Sequence, residues 1–165
     1  MSKHTFDTLS RMLVGELEAL YRASNEPTDL SVLGSSPNGR MLAIHGLDRG
    51  LLAAGLRALA RQRHFVWVGK KLVSGQDGKH GHGANRVRFG REWFPFTTRI
   101  GKSIIDGRDT FVFEYDHPGN SQLGRKPYDE LREVSPGIFL GPVFGKTSKG
   151  KYVKILWFAL DAKTA

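Results

Sequence analysis

From Phe65 to the C-terminus the chain is written in short runs of aromatic and β-branched residues, each cut off by Gly, Pro or Asp. The runs read as strands over 65–73, 85–89, 93–105, 109–116, 128–134, 137–144 and 151–160. Between them stand "SGQDGKHGHG", "GRE", "DGRD", "DHPGNSQLGRKP", "SPG" and "GKTSKG", most of them hairpin-sized. Strands joined by such turns pair antiparallel, in a meander. An open meander leaves two unpaired edges. About seven strands in a row therefore predict a β-barrel or a strongly curved sheet.

The N-terminal part has a different period. Phe6, Leu9, Leu13, Leu17, Leu20 and Tyr21 lie on one helical stripe over 5–23, with Thr5 or Ser2 as cap and Pro27 past the end. "SSPNGR" at 35–40 is a turn signal. Met41–His45 reads either as a short strand or as part of a helix. Asp48 can cap a second helix running to Arg63, apolar along Leu52, Leu56, Leu59 and Ala60. The expected class is α+β: one domain over 1–165, with a helical part at 1–64 and an antiparallel barrel at 65–161.

The chain has no cysteine, which excludes a disulfide framework, a thiolate zinc site and a cysteine nucleophile. It shows no signal-peptide core and no apolar run of membrane-spanning length, so it reads as soluble and cytoplasmic. The formal charge is +9, which favours polyanionic partners. Arg57, Arg61 and Arg63 with Arg86 and Arg88 are the candidates for a nucleic acid or an anionic surface. Against this, the 25 Lys and Arg are spread from Lys3 to Lys163 with no block of like charge, the pattern of a solvated surface.

The most informative stretch is Ser103–Asn120, which sets Glu114 and Asp116 among Phe, Val and Tyr. "DG" at 106–107 signals a two-residue hairpin. A turn centred there puts Arg99 opposite Glu114; a turn one residue later puts Arg99 opposite Asp116. The faces sort identically in both registers. One face carries Phe94, Phe96, Thr98, Ile100, Ile104, Phe111, Phe113 and Tyr115, with Lys102 as the exception. The other carries Thr97, Arg99, Ser103, Val112, Glu114 and Asp116. If the Phe face is the core, Arg99 and the acids form a wet cross-strand pair. If the helices cover the Phe face from outside, Arg99, Glu114 and Asp116 line the barrel. There they could act as anion stabiliser and acid–base pair.

Other segments bear on the choice. "YVKILWFAL" at 152–160 is apolar on both faces from Ile155, so it is expected to be covered inside and outside. "YDELREV" at 128–134 has no cleanly apolar face. It reads as a wet edge, or as a strand from which one of Asp129, Glu130, Arg132 and Glu133 joins the interior charges, with Arg132 as the ligand candidate. "WFPF" at 93–96 offers Trp93 and Phe96 as core, as pocket wall or as base-stacking surface. His80 and His82 in "GKHGHGAN" have chelating spacing, and His117 with Asp116 could complete a set. The loop lacks the glutamate that a cupin pattern places after its H-x-H, and no metal site is assigned. No phosphate-binding, dinucleotide-binding or G-x-S-x-G motif occurs, and no cofactor is assigned.

Trp67 in "VWVGK", after a helical lead-in and ahead of a meander, resembles the small calycin barrels, the lipocalin and nitrobindin-like group. The W-x-G spacing is the one seen in nitrobindin-like chains. Phe65 stands where the lipocalin G-x-W has Gly, and "YVKILWFALDAKTA" has no counterpart of the nitrobindin haem histidine. The resemblance implies an enclosed apolar pocket and not haem. The reading is a barrel that binds a partly apolar small molecule, whose polar group meets Arg99 or Lys70. Trp67, Lys70, Trp93, Phe96, Ser103, Tyr115, Arg132 and Trp157 are its candidate ligand residues. An acid–base enzyme using Glu114, Asp116 and Arg99 is the alternative, and a basic nucleic-acid or anionic-surface binder is the third reading.

Overall fold

A computed structural model describes residues 4–45 and 66–163. Its strands are β1 (Asn38–Ile44), β2 (Trp67–Ser74), β3 (His80–Val87), β4 (Glu92–Lys102), β5 (Asp109–Glu114), β6 (Pro127–Ser135), β7 (Ile138–Lys146) and β8 (Tyr152–Asp161). They pair antiparallel in chain order, and β1 closes on β8 to complete a barrel. The α+β class with helices first therefore holds. The strand count is eight instead of seven because Asn38–Ile44 pairs with β8, so the stretch assigned to helices also contains a strand. The expected second helix, with Arg57, Arg61 and Arg63, lies outside the described residues.

β3 begins at His80, earlier than the expected 85, and its glycines explain the difference. A Cβ on Gly83 would stand 1.9 Å from the Lys71 carbonyl oxygen and 2.9 Å from the ring of Phe96, its partner on β4. Gly81 and Gly83 are strand residues, and Gly83 is a thin place that a large ring crosses.

The N-terminal stripe folds as two helices instead of one. α1 (Phe6–Leu9) is capped by Thr5, whose side chain accepts from the Thr8 amide. The chain turns at 10–13 and restarts as α2 (Val14–Ala23), where Glu16 accepts from the Leu13 amide at 2.7 Å. The stripe still does its expected work. Leu9, Val14, Leu17 and Tyr21 pack on the outside of the barrel against Leu42, Leu140, Trp157 and Ala159. Each such fully buried large side chain contributes roughly 1.5–3 kcal/mol.

β8 is covered on both faces, as its composition predicted. Trp157 and Ala159 lie under the helices, while Phe158 and Leu160 belong to the interior. A 3-10 turn at Leu30–Leu33 plugs the end of the barrel at the β2–β3 hairpin, where the Leu30 amide donates to the Gly78 carbonyl at 2.7 Å. Leu30, Leu33, Leu72, Phe111, Leu131, Phe139 and Leu160 belong to the packed interior. Eight strands leave room for side chains or for one small ligand. Here side chains fill the plugged end, and a cavity opens toward the other.

Candidate ligand cavity

The β4–β5 hairpin decides which face is inside. Thr97 pairs with Glu114, Arg99 with Val112 and Lys102 with Asp109. Neither expected register occurs, because residues 103–108 form a wider loop in place of a two-residue turn. The Ser103 amide donates to the Arg108 carbonyl, and the Gly107 amide to that of Ser103, both at 2.9 Å. Asp106 is drawn away from a tight turn by the Arg132 guanidinium, which donates to both its oxygens at 2.7 Å. The displacement is an even number of residues, so the two faces remain sorted as read.

The Phe face is the interior. Phe96, Phe111, Phe113 and Tyr115 are buried in the central core. Arg99 and Glu114 meet diagonally on the outer surface, 3.2 Å apart with side chains 39% and 40% exposed. Asp116 is exposed in the following loop, beside the same outer cleft as Glu114, Tyr128 and Lys146. The reading that put Arg99, Glu114 and Asp116 inside is therefore corrected. The aromatic rings take the lumen, and the charges keep their water. Such an exposed pair contributes under about 1 kcal/mol.

The interior charge comes from elsewhere. Lys70 and Asp129 form an ion pair of 2.9 Å with side chains 1% and 5% exposed. The Lys70 ammonium also donates to the Tyr115 hydroxyl at 2.5 Å and to Asn85 Oδ1 at 3.1 Å. Tyr115 donates to Asp129 Oδ2 at 2.7 Å, and the Trp67 indole N–H donates to Asn85 Oδ1 at 3.1 Å. The rings of Phe96, Phe113, Tyr115 and Phe158 surround the ammonium at 4.7–5.4 Å from their centroids. Burial pulls the Lys70 amine below its ordinary value, opposed by the attraction of Asp129. Burial and the neighbouring Asp129 hold the Tyr115 phenol well above its own.

Strand geometry explains how these groups converge. On β6, Asp129 and Leu131 point inward while Glu130 and Arg132 point outward. On β2, Trp67 and Lys70 both reach the interior although three positions apart. The register shift at Gly69, which has φ of 150°, absorbs the odd residue. Arg86 holds that irregular seam by donating to the carbonyls of Lys70, Ser36 and Pro37 and to Asn38 Oδ1.

Above this cluster opens a cavity of about 460 Å³. Trp67, Met41, Val143, Leu156 and Phe158 wall it, Phe94 and Leu123 stand at its rim, and Lys70, Asn85, Tyr115 and Asp129 supply its polar groups. Phe94 takes φ of 54°, an uncommon conformation for a bulky residue. Its ring lies against Gly124 of the β5–β6 connection.

Of the residues expected at the site, Trp67, Lys70 and Tyr115 are brought together, with Phe96 directly beneath the ammonium. Asn85 was missed. Asp129 is one of the four charges on 128–134 offered for the interior, and its alternation with Leu131 is the signal that singles it out. Ser103, Arg132 and Trp157 instead join a separate buried group between α2 and the outer wall. There Glu130 accepts from Ser103 Oγ at 2.5 Å, from Tyr21 at 2.8 Å and from the Ile104 amide at 2.6 Å. Burial raises the Glu130 carboxyl above its usual value. Arg132 pairs with Asp106, and Trp157 packs edge-on against Tyr21. Their place in a ligand site is corrected by the strand alternation that turns them outward.

Trp93 is half-exposed in an outer groove with Arg88, Phe89 and Arg91. His80 pairs with Asp77 at 2.7 Å. Among the described residues no group of three or more His, Asp and Glu is arranged to hold a metal ion. Arg86, offered as a nucleic-acid contact, is committed to the β1–β2 seam. No described helix is long and apolar enough to cross a membrane. Comparison of the chain with protein-family models finds no match, and comparisons with curated proteins and with solved structures find none either.

Proposed function

We propose that this protein is a small-molecule-binding β-barrel. Its ligand enters the open end and sets an apolar body against Trp67, Leu156 and Phe158. Its polar group meets the Lys70–Tyr115–Asp129–Asn85 cluster. One observation carries the reading: a buried ion pair, hydrogen-bonded through a phenol, at the base of an apolar cavity of about 460 Å³. That volume falls in the range of small-molecule sites, and a few convergent polar groups in an apolar cleft are what such sites use for orientation. An interior ion pair adds little to stability over an apolar core of the same volume, so its retention is best explained by the ligand it faces.

The acid–base reading moves to the same place. Tyr115 lies within hydrogen-bond reach of both Lys70 and Asp129, which makes it the proton donor of that alternative. The outward Arg99–Glu114 pair has no enclosed volume in which to do such chemistry. The calycin resemblance supports the same site through Trp67 at the cavity wall.

The test is cavity filling. An apolar fluorescent probe should bind the wild-type protein with micromolar affinity and lose binding in Val143→Trp and Leu156→Trp, while the circular dichroism spectrum is retained. Undiminished probe binding in both filled variants would remove the lumen as the site.

A further inference from the structure

We infer that the ligand of this cavity is a neutral molecule carrying a hydroxyl group, and not a carboxylate or other anion. The inference rests on the ligand-binding reading above and deepens it.

An ammonium has three N–H donors. Those of Lys70 are met by Asn85 Oδ1 at 3.1 Å, the Tyr115 hydroxyl at 2.5 Å and Asp129 Oδ2 at 2.9 Å. None is left for an incoming anion. The Trp67 N–H is spent on Asn85, and the single Tyr115 O–H on Asp129. Arg86, whose Nε donates to the Lys70 carbonyl, turns its guanidinium to the carbonyls of the β1–β2 seam.

Charge gives the same answer. Lys70 and Asp129 already neutralise one another. A carboxylate in the cavity would stand unpaired beside Asp129, behind apolar walls. A buried unpaired charge is among the most costly arrangements a protein can hold. A ligand ammonium is disfavoured in turn by Lys70.

What the cluster does have to spare is one acceptor and one donor. Asp129 uses only Oδ2 for Lys70 and Tyr115, and among the described residues no group donates to its Oδ1. The Asn85 amide gives one N–H to Tyr115, at 3.3 Å, and its second N–H has no acceptor among the described residues. A hydroxyl is the smallest group that both donates and accepts. It can donate to Asp129 while accepting from Asn85, with no change in net charge.

Calorimetric titration with probes that share a body and differ in head group tests this directly. The probes are decanol, decanoate and decylamine, with naphthol and naphthoate as a pair of different shape. In each series the wild-type protein at neutral pH should bind the hydroxyl compound at least tenfold tighter than the charged ones. Asp129→Asn should narrow or reverse the gap between alcohol and carboxylate, because it leaves Lys70 as an uncompensated cation. If Asp129→Asn does not fold, the wild-type order alone decides. Equal or tighter binding of decanoate and naphthoate, or tightest binding of decylamine, overturns the head-group assignment while leaving the cavity as a binding site. No binding of any probe in either series overturns the ligand-binding reading itself, and this inference with it.

Discussion

The sharpest test of the interior cluster is to take it apart one charge at a time. Lys70→Met removes the ammonium and keeps much of the side-chain volume. Asp129 is then left 5% exposed, with Tyr115 as its remaining donor and no counter-charge. Four ring contacts to the ammonium vanish as well. Removing one partner of a buried ion pair costs about 3–5 kcal/mol. At this chain length that is a fall in Tm of roughly 6–20 °C. The double variant Lys70→Met, Asp129→Leu leaves no buried charge and is expected near wild-type stability or above it, far from the sum of two single losses. Urea unfolding of the wild type, Lys70→Met, Asp129→Leu and the double variant, followed by far-ultraviolet circular dichroism, measures all of this. A loss under about 1 kcal/mol for Lys70→Met, or strict additivity in the double variant, would show that the pair is neither buried nor coupled as described.

Three further outcomes follow from other parts of the molecule. The Arg132 fork holds the Asp106 carboxyl down to about 2. Stability from this pair is therefore complete above about pH 4 and lost as pH falls through the folded value, an acid-limb contribution of about 2 kcal/mol. Asp106→Asn should flatten that limb in acid unfolding curves. Gly83→Ala forces a methyl to within 1.9 Å of the Lys71 carbonyl oxygen and should cost about 2–3 kcal/mol or prevent folding, as read from thermal melts. Thr98 Oγ1 is buried with no hydrogen-bond partner among the described residues, so the near-isosteric Thr98→Val should leave stability unchanged or raise it by about 1 kcal/mol in the same melts.

The fold was largely legible because a meander depends on local signals: turn residues, strand period and short connections. What escaped was written in glycine and in loop width. Gly81 and Gly83 looked like loop because composition alone does not distinguish a glycine that bends the chain from one that makes room for Phe96. The hairpin register escaped because Asp106, the residue that signals a tight turn, is held instead by Arg132, distant in sequence.

The site shows how far alternation reaches and where it stops. Period two sorted the β4–β5 side chains into two faces correctly, yet it carries no information about which face is inside. That choice is made by the whole barrel. The rings of Phe96, Phe111 and Phe113 fill the lumen, and the outer wall of β5 and β6 is roofed in part by α2, through the hydroxyl of Tyr21 at Thr110 and Glu130. The result is that Glu114, between Phe113 and Tyr115, stays in water, while Lys70 and Asp129 end in the core. Their partnership joins β2 to β6 across the barrel, and only closure brings them together. Lys70 reads from sequence as a ligand residue and Asp129 as one of four charges that could turn inward, but nothing local pairs the two. The bulge at Gly69 turned the first inward, the pleat of β6 turned the second to meet it, and the cavity opens over that meeting point.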